Sequence, residues 1–112
     1  MSLSPVNEND FQDTVIKLAK LHGWRVAHFR PSRTKDGWAT AVSADGKGFP
    51  DLFMLRDSTG HRVAAELKVG HNKTTPEQDA WLTAMEACGI PAFVWKPCDW
   101  DEIEDVLTNG VK

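Results

Sequence analysis

Several things are scarce in this chain, and each scarcity narrows what it can be. No run approaches the ~20 apolar residues that a membrane span needs. The start, Met-Ser-Leu-Ser-Pro, carries neither the basic stretch nor the apolar core of an export signal. There are only two cysteines, Cys88 and Cys98, and their spacing is not that of a zinc site. Two ordinary thiols in a reduced, cytoplasmic protein are the simplest account. Internal repeats and low-complexity tracts are missing, which excludes a solenoid or a biased tail. A large positive excess is missing too: the net charge is −3, which argues against a generic polyanion binder.

What is present describes a globular domain. A length of 112 residues is enough to bury a core, and one domain is expected over 1–112, with a short tail at 1–6. An apolar fraction of 41% and a charged fraction of 26% are ordinary for such a domain. The charge is unevenly spread. Lys17, Lys20, Arg25, Arg30, Arg33 and Lys35 occur with no acid among them, whereas Asp99, Asp101, Glu102, Glu104 and Asp105 occur with no base. Two readings stand: ordinary solvated charge, or a basic face that meets a polyanion while an acidic face turns away.

The densest chemistry lies between Gly48 and Lys68. Two apolar runs, Asp51 to Leu55 and Val63 to Leu67, flank the turn residues Asp57 to Gly60, and this predicts a β-hairpin. A turn centred between Ser58 and Thr59 sets Asp51 opposite Glu66, with Cβ atoms ~4.5–5.5 Å apart. Alternation puts Glu66 and Lys68 on one face and Leu67 on the other. Carboxylates among apolar neighbours are costly unless paired or metal-bound, and two close together repel. A divalent cation resolves both problems, and oxygen ligands suit Mg²⁺ or Mn²⁺. The plainer alternative is an acid at a hairpin mouth beside a surface Glu–Lys pair. A one-residue slip in register would undo the first reading.

Taken in order, the rest of the chain reads as alternating elements. Asn7 caps a helix with Glu8 and Asp10 in its first turn, a stripe of Phe11, Val15, Leu18 and Leu21, and a stop at Gly23. Trp24 to Phe29 reads as a strand. Arg30 to Lys47 is a long polar loop carrying Arg30, Arg33, Lys35 and Lys47 around Trp38. Basic residues around an aromatic suit a gripped nucleic-acid strand, although Trp38 equally fits packing on the body. His28 is either a phosphate contact or a half-buried histidine. Lys73 is a phosphate contact or a solvated loop lysine. Thr75, Pro76 and Gln78 open a second helix with an inner stripe of Trp81, Met85 and Cys88. Ile90 to Trp95 is a buried strand, expected parallel to the Glu66 strand. Asp99 is expected to cap a last helix bearing Trp100, Ile103, Val106 and Leu107.

Pro50-Asp51 followed by Glu66-Leu67-Lys68 resembles the PD-(D/E)xK nuclease motif. Glu8 to Gln12, Leu21 to Trp24, Gly48 to Asp51, Thr74 to Gln78 and Phe93 to Trp95, in that order, resemble the VRR-NUC branch, especially its small stand-alone members. The resemblance runs from about Glu8 to Leu107. It implies an α/β, restriction-endonuclease-like fold with an α-β-β-β-α-β core and a mixed central sheet. It also implies a site in which Asp51 and Glu66 hold Mg²⁺ or Mn²⁺. The Leu67 carbonyl is then a further ligand, and Glu8 joins through water, although helix-dipole compensation alone explains Glu8. Lys68 orients water or stabilises the phosphorane, and Gln78 accompanies it, although capping alone explains Gln78. The general base stays open between Lys68, a second hydrated metal and the substrate phosphate.

Three functions compete on this sequence. The first is a metal-dependent DNA endonuclease selective for branched DNA, as in Holliday-junction resolution, and two cuts per junction then call for a homodimer. The second is a nicking, flap or restriction-like nuclease with the same site. The third is a nucleic-acid-binding module that no longer cuts; intact Asp51, Glu66 and Lys68 argue against it.

Overall fold

The structure is a computed structural model that describes residues 7–29, 32–34, 37–39 and 43–111; for 32–34 and 37–39 the backbone alone is described. Arg30 and Lys35 lie outside the described residues, as do the side chains of Arg33 and Trp38.

The elements run α1 (Glu8–Leu21), β1 (Arg25–His28), β2 (Ser32–Thr34), β3 (Gly37–Ala39), β4 (Leu52–Arg56), β5 (His61–Leu67), α2 (Pro76–Ala87), β6 (Ala92–Trp95), a 3₁₀ turn (Pro97–Asp99) and α3 (Trp100–Asn109). Four strands form one sheet in the order β1-β4-β5-β6. Neighbours are antiparallel except β5 and β6, which run parallel across the α2 crossover. This is the expected mixed α/β architecture. Arg30 to Lys47 departs from expectation, because β2 and β3 pair there as a small separate hairpin. Thr34 and Trp38 are strand-forming residue types, and the polar composition around them concealed it.

The core sits between one face of the sheet and helices α1 and α3. Leu52 and Met54 of β4, Val63, Ala65 and Leu67 of β5, and Trp95 of β6 are buried there with Phe11, Val15, Ile103 and Leu107. The odd–even alternation of β4 and β5 therefore aims one set of side chains into this core and the other set at the opposite face. Two members of the expected helix stripes fail. Leu21 is 78% exposed, because the buried row of α1 runs through Phe11, Val15 and Ala19 and Leu21 lies roughly 200° round the helix from Ala19. Cys88 is exposed because α2 ends at Ala87, one residue before it. Asp99 does not cap α3 through its side chain, which instead accepts from the Lys96 N–H at 2.9 Å.

One buried cation ties the helix ends to the sheet. Arg56, at the end of β4, donates to the Leu107 and Thr108 carbonyls at 3.0 and 3.1 Å and to the His22 carbonyl at 3.4 Å. Its guanidinium lies 5.0 Å from the ring centre of Trp24, whose indole N–H also donates to the Leu107 carbonyl. The last carbonyls of α3, orphaned by the helix end, are satisfied this way. Arg56→Met is expected to lower stability by roughly 2–4 kcal/mol in urea unfolding by removing the donor from the Thr108 and His22 carbonyls and leaving Leu107 with the Trp24 N–H alone. Arg56→Lys should recover little, because an ammonium reaching the carbonyls gives up the contacts of the other two guanidinium nitrogens with Thr59 and His61 and the flat face over Trp24.

Candidate active site

The β4–β5 register decides where the acids go. Leu52 pairs with Ala65 and Phe53 with Ala64, so one step further out Asp51 stands opposite Glu66. The Leu67 N–H donates to Asp51 Oδ2 at 2.9 Å, which locks Asp51 against β5 just beyond the end of its own strand. Glu66 is fully buried at 2% exposure, on the face opposite the core. Lys68 follows on that face, 14% exposed, with its Nζ 3.8 Å from Glu66 Oε1.

Gln78 completes the surround of Glu66, and the α2 N-terminus fixes how it does so. Thr75 caps α2 by accepting from the Gln78 N–H, and the Gln78 side-chain oxygen accepts in return from the Thr75 N–H at 2.9 Å. The carbonyl end of the amide is thereby committed to the cap. The NH₂ end is directed at Glu66 Oε1, at 3.1 Å. Capping and site support, which read as alternatives in the sequence, are two ends of one side chain.

Glu66 is left in an unresolved electrostatic position. Its Oε2 is buried and receives no hydrogen bond, while the Asp51 carboxyl, another acceptor, faces the Glu66 carboxyl across the hairpin. Two acceptors can share a bond only if one carries a proton. Burial first, and then the Asp51 carboxyl, push the Glu66 pKa up to about 9; Lys68 pulls it down and Glu8 adds a small upward push. A divalent cation fits this arrangement, because it would take both carboxylates in their charged form and supply the partner that Oε2 lacks. Among the described residues no group of three or more His, Cys, Asp or Glu side chains is close enough to hold a metal.

The other expected residues sit at different distances from this centre. Glu8 opens α1, is exposed, and reaches Glu66 by its charge. His28 Nε2 lies 3.0 Å from Oε1 of Gln12, which asks for the Nε2–H tautomer. Gln12 is buried at 8% exposure one turn after Glu8 and was not singled out in the sequence, although a glutamine inside an apolar stripe was a usable signal. Lys47 is exposed and pairs with Glu77 at 3.5 Å. Lys73 is exposed in the segment before α2. Gly48 was also passed over as more than a hairpin start: its φ is +87°, and a Cβ there would lie 2.6 Å from the Glu77 backbone. Only glycine lets the chain leading into Asp51 press this closely on the first turn of α2.

A mixed sheet flanked by helices, with Pro50-Asp51 entering one central strand and Glu66-Leu67-Lys68 ending the next, defines a restriction-endonuclease-like nuclease fold. Comparison with family models specifies it further. The model of the VRR-NUC domain matches residues 10–97, and the chain belongs to that PD-(D/E)xK-like nuclease family. Searches of curated proteins and of solved structures return no match. Among the described residues no helix is long and apolar enough to cross a membrane.

The metal-free fold is expected to carry a pH signature. An unfolded Glu66 ionises near 4.5, whereas the folded one holds its proton up to about 9, so stability from this residue is full below pH 4.5 and is lost as pH rises toward 9. Urea midpoints measured in EDTA should therefore fall between pH 5 and pH 8.5. Glu66→Gln should flatten that fall and gain roughly 1–3 kcal/mol at neutral pH. An unchanged slope in Glu66→Gln would mean that Glu66 is not the group that holds this proton.

Proposed function

We propose that this nuclease-family chain is a divalent-metal-dependent DNA endonuclease that selects branched DNA and works as a homodimer. The observation that carries the reading is the Asp51–Glu66 pair, in which Glu66 is buried with one oxygen unpartnered and has an ammonium group alongside. The VRR-NUC match independently gives nuclease activity on DNA.

Each residue then has a role set by its position. Asp51 and Glu66 would hold the cation, with the Leu67 carbonyl as a further donor and Glu8 joining through water. When bound, the cation supplies a water of lowered pKa and neutralises charge on the phosphate. Mg²⁺ and Mn²⁺ both suit this donor set. Lys68 presents a fixed ammonium toward the attacked phosphate, where it orients the entering water or stabilises charge that grows on the phosphoryl oxygens. The water gives up a proton as its oxygen bonds to phosphorus, the P–O bond to the leaving oxygen breaks, and that oxygen takes up a proton. Gln78 keeps the Glu66 carboxylate from rotating. His28, Lys47 and Lys73, with Arg30, Arg33 and Lys35 of the loop, contact backbone phosphates.

Branched DNA is the favoured substrate class on the resemblance to small stand-alone VRR-NUC members; the basic residues that cluster before the hairpin, apart in sequence from the acids of α3, suit DNA of any shape. A junction presents two equivalent strands, and a two-fold dimer presents two such sites. One panel separates the alternatives: four-way junction, flap, nicked, linear duplex and single-stranded DNA, each with Mg²⁺, Mn²⁺ or EDTA. Junction cleavage that needs metal is expected, with Asp51→Asn, Glu66→Gln and Lys68→Ala each slower by about 10³-fold or more and still folded. Light scattering should give a dimer. Equal cutting of linear duplex by a monomer would favour the nicking or restriction-like alternative. Binding with no cutting of any substrate would favour the non-cleaving module.

A further inference from the structure

The face that carries the acid pair continues into an aromatic surface. By register, Ala27, Phe53, Ala64 and Ala92 form one row across the sheet. In the next row out, the Phe29 N–H donates to the Asp51 carbonyl at 3.0 Å, so Phe29 stands beside Asp51 as Glu66 does on the other side. Phe29 is 44% exposed. Its ring meets Phe49 edge-on, with centroids 5.1 Å apart, and Phe49 in turn meets Trp81 at 5.0 Å and Phe53 at 6.3 Å. The Trp81 N–H is occupied by the Asp45 carbonyl, which holds that indole in place. Beside these rings an open groove of about 330 Å³ runs along α2 to Met85 and Ile90.

We propose that this aromatic surface, led by Phe29, is a stacking platform for an unpaired base next to the scissile phosphate. The proposal rests on the reading of the acid pair as a phosphodiester-cutting site, and it sets which DNA that site accepts. Three observations favour a nucleobase as the occupant. The exposed ring adjoins Asp51 itself, so a base on it would have its own phosphate at the acid pair. The surface is built of braced rings, which keep a flat face available at small entropic cost. On the same sheet face Arg25 and Arg62, which both pair with Leu55, are exposed, so cations border the apolar ground. A clustered apolar surface of this kind marks a binding site more often than scattered single residues do. Perfect duplex keeps its bases stacked inside and has none to offer, whereas bulges and branch points opened at the point of strand exchange do. The platform thus gives the site a physical reason to prefer them.

The test uses the full chain and DNA carrying 2-aminopurine, a base whose fluorescence falls on stacking, placed either at a branch or bulge or in continuous duplex. In EDTA, wild type should quench the unpaired probe and leave the duplex probe unchanged. Phe29→Leu, which keeps the apolar contact with Phe49, should lose the quench and bind bulged DNA roughly tenfold or more weakly, a loss in the range of one stacked base. Phe29→Trp should retain both. Equal quenching by wild type and Phe29→Leu would overturn the platform. So would a wild-type dimer that dissociates in Phe29→Leu without any quench in either, because the surface would then join two copies of this chain. Cleavage assays in Mg²⁺ separate this from the reading beneath it. Cutting without quenching removes the platform and leaves the nuclease; quenching without cutting removes the nuclease and leaves the platform.

Discussion

Two carboxyl groups held face to face by a hairpin are the constraint around which this molecule is arranged. The β4–β5 register brings Asp51 and Glu66 together, and the Leu67 N–H prevents Asp51 from swinging away. Burial of Glu66 raises the cost of two negative charges there to the point where one must be neutralised. A fold that keeps such a pair gives up stability in the metal-free state. Among the described residues the donors around it are few: the Leu67 N–H on Asp51, one amide NH₂ from Gln78 and the Lys68 ammonium at 3.8 Å, and none of them reaches Glu66 Oε2. The arrangement makes sense as a seat for a cation, and the membership of the chain in the VRR-NUC family supplies the chemistry such a seat serves.

The supports of the pair come from three separate elements, and each is fixed by a feature that has its own local reason. The capping box at Thr75 orients Gln78. Gly48 lets the chain before Asp51 lie against Glu77, next to Gln78, so the two sides of the site share one point of contact. On the far face, Arg56 and Trp24 hold the ends of α1 and α3 to the sheet, which secures the platform on which β4 and β5 lie. Precision at the acids thus depends on a cap, a glycine and a buried arginine that touch no substrate.

Much of this could be read from the residues, for identifiable reasons. The hairpin register followed from the position of four turn residues, because a period of two leaves no freedom once the turn is centred. The helix caps at Asn7 and Thr75 and the parallel pairing of β6 were legible because each rests on local chemistry. Arg56 was not legible: its partners are carbonyls of Leu107 and Thr108, distant in sequence and present in every residue type. The β2–β3 pairing was hidden by polar composition, and the tie between His28 and Gln12 by separation along the chain. The dual use of Gln78 was half legible, since the cap is a local pattern and the contact with Glu66 is not.

The most direct measurement is the location of a bound metal. Crystals of the full chain soaked in Mn²⁺ and measured at the manganese absorption edge should show one anomalous peak within about 2–2.3 Å of carboxylate oxygens from both Asp51 and Glu66. The same soak of Glu66→Gln should lose that peak while the fold is unchanged. A peak elsewhere, or none between those two side chains in a well-ordered wild-type crystal, would contradict the account.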